Sequence, residues 1–249
     1  SNLPPLLIAS FFGPMAAGLF ALTHRVLSQP MAVLGKAVGD VFYREAAQAH
    51  RKNVLKQIVD NVYVKLVTLA MPITTTIFLV APESFILIFG EQWKQAGELA
   101  RWVSVWLFFQ FIALPPTRVY PILERHGAAL RFQFGLLISG ILSIAIGAMV
   151  FDSFIIGIAI MSISNGLVYV VRLMLTYSLV GMHPLRPIKL LGKSVPYSFL
   201  CNLPLFALWI YQGDLNVFNP MGLVILFANI ILVGLFVYMI ARSDSNKII

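Results

Sequence analysis

The chain has 249 residues, of which 59% are hydrophobic and 11% charged, with 18 Lys and Arg against 10 Asp and Glu for a net charge of +8. Soluble globular domains carry roughly 25% charge, so a mean hydropathy of +0.86 excludes a water-soluble fold and implies an all-α, polytopic membrane protein. The basic residues sit in short segments between apolar runs, as membrane topology requires, which excludes nucleic acid as a partner, and the single Cys201 excludes a disulfide framework or a CxxC-type metal site.

In chain order, residues 3–12 (LPPLLIASFF) are too short to cross a bilayer. They read as the end of a helix that begins before Ser1, so the chain is expected to be the C-terminal part of a longer protein, without a signal peptide. Phe12-Gly13-Pro14 predicts a tight turn into an apolar helix over 14–46. At about 100° per residue, Gly18, Arg25, Gln29, Ala32, Lys36 and Asp40 fall on one side of that helix. Phe20, Val26, Ala37 and Val41 fall on the other. Residues 47–60 are polar and basic, with Arg51, Lys52 and Lys56, and predict a helix lying along the interface. A span over 62–81, interrupted at Pro72, leads to a loop with Pro82, Glu83, Glu91, Trp93 and Lys94, whose apolar 85–89 dips into the interface.

Residues 96–117 span again and end at Pro115-Pro116, followed by a second basic loop with Arg118, Arg125, His126 and Arg131. In the span 132–151, Gly135, Ser139, Ser143 and Gly147 recur every fourth residue and predict a stripe for close helix packing. Asp152-Ser153 turns the chain into a span over 154–180 with Asn165-Gly166 at its middle. A third basic loop, 181–193, holds Arg186, Lys189 and Lys193. Spans over 195–211 and 221–241 flank a turn at 212–220. The expectation is seven full spans plus the end of an eighth.

Alternate loops carry the arginines and lysines, whereas Asp152, Asp214, Glu83 and Glu91 occupy the intervening ones, with Lys94 their one clear cation. Basic loops stay cytoplasmic, which places the C-terminus inside and the Gly13 turn outside.

Arg25 lies eleven residues beyond Pro14, near mid-membrane at about 1.5 Å per residue. An arginine at that depth costs about 2.5–3.5 kcal/mol on insertion scales and faces a bundle interior or a wet cavity. Two roles are open to it: a structural pair with a carboxylate, or an anion contact, since a guanidinium matches phosphate oxygens bidentately. Lys36 and Asp40, spaced i,i+4, either neutralise one another or line a lumen. His24, about 100° from Arg25 on the helix, is a packing residue or a pore residue. Lys65, Arg101 and Arg172 lie within a few turns of a membrane face and read as snorkelling anchors. Arg118, after the double proline, is a gate, a headgroup contact or a topology signal. Gln110, Asn165, Asn202 and Asn229 lie mid-span and read as interhelical hydrogen-bonders. The sequence contains no HExxH or GxSxG, no carboxylate pair in a plausible cleft and no large extramembrane loop, so no catalytic residue, cofactor or metal is expected.

The run Pro5, Phe12-Gly13, Gly18-Leu19-Phe20, Arg25-Val26, Pro30, Gly35 and then a basic segment resembles the start of the second half of the polysaccharide (oligosaccharide, O-antigen-type) flippases. So does Gly90-Glu91-Gln92-Trp93-Lys94-Gln95-Ala96-Gly97 opening a span. That family belongs to the superfamily of multidrug and toxin extruders and oligosaccharidyl-lipid exporters. The resemblance covers essentially the whole chain through loose family patterns. It implies two six-helix lobes around a central cavity, with this chain as the second lobe (1–182, first helix truncated) and 183–249 as an additional helix pair and tail. It further implies movement of an undecaprenyl-diphosphate-linked oligosaccharide from the cytoplasmic to the periplasmic leaflet of the bacterial inner membrane. The partners implied are the lipid-linked oligosaccharide, membrane lipids, the N-terminal half of the same chain and polysaccharide polymerase machinery.

Arg25 matches an arginine on the first complete helix of the family's second lobe, which implies a headgroup role, and Gln29 and Lys36 are candidates beside it on the same face. His24, Asp40, Arg118 and Asn165 are the lumen or gate candidates. Two alternative readings stand beside this one: a cation-coupled multidrug extruder of the same fold, and a membrane glycosyltransferase or polymerase.

Overall fold

The computed structural model describes residues 3–51, 54–212 and 220–245, and among these every regular element is helical. Helix α1 (Leu3–Arg51) leaves helical geometry at Gly13, where φ is 86° and ψ 171°. Pro5 and Arg25 line one cavity, yet along an unbroken helix they would stand about 30 Å apart; the chain therefore folds back at Gly13. Glycine reaches that positive φ without a steric penalty. Pro14 then opens the second arm at a position where a missing N–H leaves no helical bond unmade. Ile8 from the first arm and Phe20 from the second both bury against Ile144, Ile158 and Met161.

Helix α2 (Leu55–Phe89) and helix α3 (Lys94–Ala113) follow, and after the double proline the short α4 (Val119–Ile122) continues at a bend of 41°. Helices α5 (His126–Met149), α6 (Phe154–Leu179), α7 (Arg186–Cys201), α8 (Leu203–Gln212) and α9 (Pro220–Ser245) complete the order. Among the described residues, four helices are long and apolar enough to cross a membrane, or five if the bent pair counts as one span. The chain is thus a multi-pass membrane protein.

Two buried clusters organise the bundle. One gathers Phe42, Ala46, Leu55, Val59, Tyr63, Ile112, Leu173 and Tyr177 near the ends of α1, α3 and α6 that carry the basic residues. The other gathers Ile8, Phe20, Leu99, Val103, Ile144, Ile158 and Met161 toward the opposite end. Small residues set the closest approaches. The stripe on α5 packs on α6: a Cβ on Gly147 would overlap the backbone of Gly157, and the Ser143 and Ser164 hydroxyls lie 2.8 Å apart. On α3, a Cβ at Gly97 would stand 2.5 Å from the Pro82 Cα, so α2 and α3 touch backbone to backbone there.

Several expected boundaries change. Helix α2 runs unbroken through Pro72 and Pro82, so 83–89 is its last turns and not a loop dipping into the interface. A proline removes the N–H that would meet the carbonyl four residues earlier; for Pro82 that is the Phe78 carbonyl, and Arg101 Nε from α3 donates to it at 3.0 Å. Thr76 Oγ1 and Asn202 Nδ2 both donate to the Pro72 carbonyl, at 3.0 and 3.2 Å. Thr76 Oγ1 also lies 2.8 Å from Asn202 Oδ1 and 3.3 Å from Asn229 Oδ1, while Asn229 Nδ2 donates to the Cys201 carbonyl at 2.9 Å. Asn202 and Asn229 are thus interhelical hydrogen-bonders, fixing α7 and α9 to α2. Asn202 also interrupts the expected 195–211 span, which is two helices, α7 and α8.

Of the interface helix expected over 47–60, the residues up to Arg51 are the end of α1 and those from Leu55 the start of α2, while Lys52 and Asn53 lie outside the described residues. Arg186, Lys189 and Lys193 belong to α7 and not to a loop. Arg186 clasps Asp60 bidentately, Nε–Oδ1 2.8 Å and Nη2–Oδ2 2.6 Å, and this hydrogen-bonded carboxylate holds the guanidinium above its ordinary pKa range. Tyr177 also donates to Asp60, at 3.2 Å. The turn expected over 212–220 lies, apart from Gln212 and Pro220, outside the described residues, as do Lys247 and the end of the tail.

The α5–α6 contact yields a test. Gly147→Val overpacks a backbone contact and is expected to lower stability by about 1–3 kcal/mol or more, read as an earlier thermal unfolding transition in detergent. Gly18→Ala, which meets open space, is the matched control and leaves the transition in place.

Candidate functional site

The polar side of α1 borders two adjoining cavities. The first, of about 510 Å³, lies between both arms of α1, the middle of α3, α5 and α6. Arg25, His24, Ser28 and Gln29 enter it from α1, Trp106 and Gln110 from α3, Gln133 from α5, and Asn165 and Tyr169 from α6. Helical spacing makes this convergence: 25 and 29, 106 and 110, and 165 and 169 are i,i+4 pairs, each presenting two side chains on one face. Among the described residues Arg25 makes no ion pair. Asn165 is 3% exposed and its Oδ1 has no hydrogen-bond partner. A buried carbonyl oxygen left unpaired costs about 1–3 kcal/mol, so this one is available to a ligand donor. The His24 ring stands 5.3 Å from Trp106 and 5.8 Å from Phe20, centroid to centroid.

The second cavity, of about 300 Å³, shares His24, Ser28 and Gln110 with the first and continues along α1 past Gly35 and Lys36 to Pro115 and Arg118. The proline pair turns the chain so that Arg118 reaches back to α1. There its Nη1 lies 3.5 Å from Asp40 Oδ1. Gly39 makes room, since a Cβ at that position would sit 3.2 Å from the Arg118 guanidinium. Both partners are about half exposed, 44% and 50%, and such a pair contributes about 0–1 kcal/mol.

Arg25, Gln29, Lys36, His24, Arg118 and Asn165 all line these two cavities, and Asp40 stands at the far end of the second. The structure pairs Asp40 with Arg118, not with Lys36 as the i,i+4 spacing suggested. Gln110, expected to bond between helices, faces the cavity instead, and Asn165, read both as an interhelical hydrogen-bonder and as a lumen candidate, faces it too. Arg101 is held inside the bundle: its Nε donates to the Phe78 carbonyl at 3.0 Å, and Glu98 lies 3.4 Å away. Arg172 lies over the Phe132 ring at 4.1 Å and the Tyr120 ring at 5.7 Å, so it stacks within the protein rather than reaching for the interface. Trp106, Gln133 and Tyr169 were missed by sequence reasoning. The signal was there for two of them, because Trp106 and Tyr169 each fall one helical turn from a mid-span amide.

The site is therefore a cationic, amide-rich cavity between the helices of a multi-pass membrane protein, to which the stretch 20–36 contributes Arg25, Gln29 and Lys36. That stretch falls within the part of the chain that matches a known family. Residues 1–98 match the model of a family described as polysaccharide biosynthesis protein. No curated protein and no solved structure matches the chain.

The unpaired Asn165 oxygen separates a structural role from a ligand-facing one. Asn165→Leu, close in shape and placed beside open space, is expected to leave the unfolding temperature in detergent unchanged or raised. A fall of several degrees would assign Asn165 to holding helices together.

Proposed function

We propose that the chain is the second lobe of a flippase that moves an undecaprenyl-diphosphate-linked oligosaccharide from the cytoplasmic to the periplasmic leaflet by alternating access, for surface polysaccharide biosynthesis. The observation that carries this reading is Arg25 on a cavity of about 510 Å³ with no carboxylate beside it among the described residues. The family match supports polysaccharide biosynthesis as the setting.

The cavity chemistry suits both parts of such a headgroup. Arg25 and Lys36 offer charge-assisted donors to the diphosphate. The amides of Gln29, Gln110, Gln133 and Asn165 pair with sugar hydroxyls as donors and acceptors at once. The Trp106 and Tyr169 rings supply apolar faces for the carbon skeleton of a sugar. The lipid tail stays in the bilayer. In this reading seven spans cross the inner membrane, the C-terminus is cytoplasmic, and residues 1–182 form the lobe that 183–249 extend with a helix pair. A first lobe supplies the opposite cavity wall, and polymerase machinery takes up the product.

A cation-coupled extruder of the same fold needs a carboxylate free to meet a cationic substrate, whereas no acid lines either cavity among the described residues and Asp40 is engaged by Arg118. A membrane glycosyltransferase or polymerase needs a catalytic acid in a sizeable loop, and the described connections between helices are short.

The test is replacement of Arg25 in the full-length protein, following surface polysaccharide at matched protein levels. A hydrogen bond to a charged group is worth about 1.5–3 kcal/mol, so Arg25→Ala is expected to reduce export by about tenfold to a hundredfold, with Arg25→Lys keeping part of it. Unchanged export removes Arg25 from the mechanism, and altered drug resistance in its place favours the extruder.

A further inference from the structure

A second cationic pocket lies outside the central cavities. It has a volume of about 230 Å³ and is formed where the bent end of α3 and the short α4 meet α6. Arg118, Arg125 and Arg172 all line it, with Thr117 and Tyr120 between them. Arg172 projects from α6 seven residues before its end, about 10 Å along the helix. Its Cζ stands over the Phe132 ring, 4.1 Å from the centroid, with the Tyr120 ring at 5.7 Å. Stacking satisfies the face of a guanidinium and leaves its edge, with five N–H donors, to be satisfied by something else. Among the described residues none of those donors meets a carbonyl or a carboxylate, and the same holds for the side chain of Arg125. Beyond Arg125 and Tyr120 the surface continues into a second hollow, whose lining includes Arg131 and one acid, Glu124. Arg118 has Asp40 as a half-exposed partner at 3.5 Å, but Arg125 and Arg172 meet no acid among the described residues, and a cluster of like charges of that kind is relieved by an anion.

We infer that the pocket lined by Arg118, Arg125 and Arg172 is a phosphate-binding site, distinct from the cavity at Arg25. Planar N–H forks around a hollow of this size match the tetrahedral oxygens of a phosphate monoester, diester or diphosphate. Basic pockets between membrane helices take lipid phosphates in this way. The phosphate has two possible sources: an anionic bilayer lipid, or the diphosphate of a lipid-linked cargo on its way to the cavity that shares Leu114 and Arg118 with this pocket. The inference does not rest on the transport reading, because the test below measures binding and not export.

The experiment is native mass spectrometry of the purified full-length protein in detergent, titrated with phosphatidylglycerol or with phosphatidylcholine, and repeated with inorganic pyrophosphate as competitor. Each arginine contributes about fivefold to anionic-lipid affinity. The expected result is a preference of at least about fivefold for phosphatidylglycerol, lost in Arg125→Gln/Arg172→Gln and partly kept in Arg125→Lys. Arg125→Gln alone alters a surface side chain and serves as the deciding variant should the double variant melt early. Displacement of the lipid by millimolar pyrophosphate assigns the site to a diphosphate, and persistence of the lipid assigns it to the bilayer. Equal retention of both lipids by the unaltered protein, or an undiminished preference in Arg125→Gln, overturns the site.

Discussion

A guanidinium inside hydrocarbon costs about 2.5–3.5 kcal/mol on insertion scales, and the architecture is arranged around giving such groups somewhere else to be. Arg25 and Arg172 receive different solutions. Arg25 opens onto a volume large enough for many waters, so its charge stays hydrated within the span. Arg172 has its face covered by two aromatic rings, which desolvates one side of the guanidinium while the cation–π attraction offsets part of the loss. Neither is neutralised by an acid among the described residues. A bundle built only for stability would place carboxylates beside these groups or use apolar residues of similar volume.

The cavity persists because packing is tight elsewhere. Glycine and serine on α5 bring its backbone against α6 near the Asp152 turn, and Gly97 does the same for α3 against α2. Gly166 admits the Phe109 ring, locking α3 on α6 one residue beyond Asn165. Between helices in lipid there is little hydrophobic gain, so such close van der Waals contacts and hydrogen bonds carry association. With these contacts fixed, the side chains at 25, 29, 110, 133 and 165 face a gap that α1 cannot close. The additional helices α7 and α9 attach through hydroxyls and amides beside Pro72 of α2, away from that gap. That attachment leaves the cavity wall untouched.

The legible features in the sequence were those with a period. One charge-bearing side on α1, every fourth residue small on α5, and a glycine-proline pair at a reversal all translate directly into position. Contacts between elements distant in sequence were not legible. Nothing in the sequence joins Asp40 to Arg118 across 78 positions, and the local i,i+4 lysine is the obvious partner until the double proline swings Arg118 onto Gly39. Prolines misled in the other direction: Pro72 and Pro82 looked like breaks, yet α2 passes through both, with Arg101 donating to the Phe78 carbonyl that Pro82 leaves free. Gln133 had no turn-spaced polar neighbour to mark it, only a place on α5 that three other helices turned into cavity wall.

The pairing of Asp40 with Arg118 bears on what the cavities select. Of the acids that sequence placed near a span interior, Asp40 alone stands beside these cavities, and its charge is met by a guanidinium lodged over Gly39. What remains along the cavity walls is positive or neutral and rich in amides, a composition that repels cationic solutes and welcomes a phosphate flanked by hydroxyls. A half-exposed ion pair contributes at most about 1 kcal/mol, less than a guanidinium gains from one good bond to a phosphate, about 1.5–3 kcal/mol. Arg118 lines both the Lys36 cavity and the arginine pocket. A phosphate arriving on either side therefore competes with Asp40 on favourable terms, and exchanging one anion for the other moves no charge into hydrocarbon.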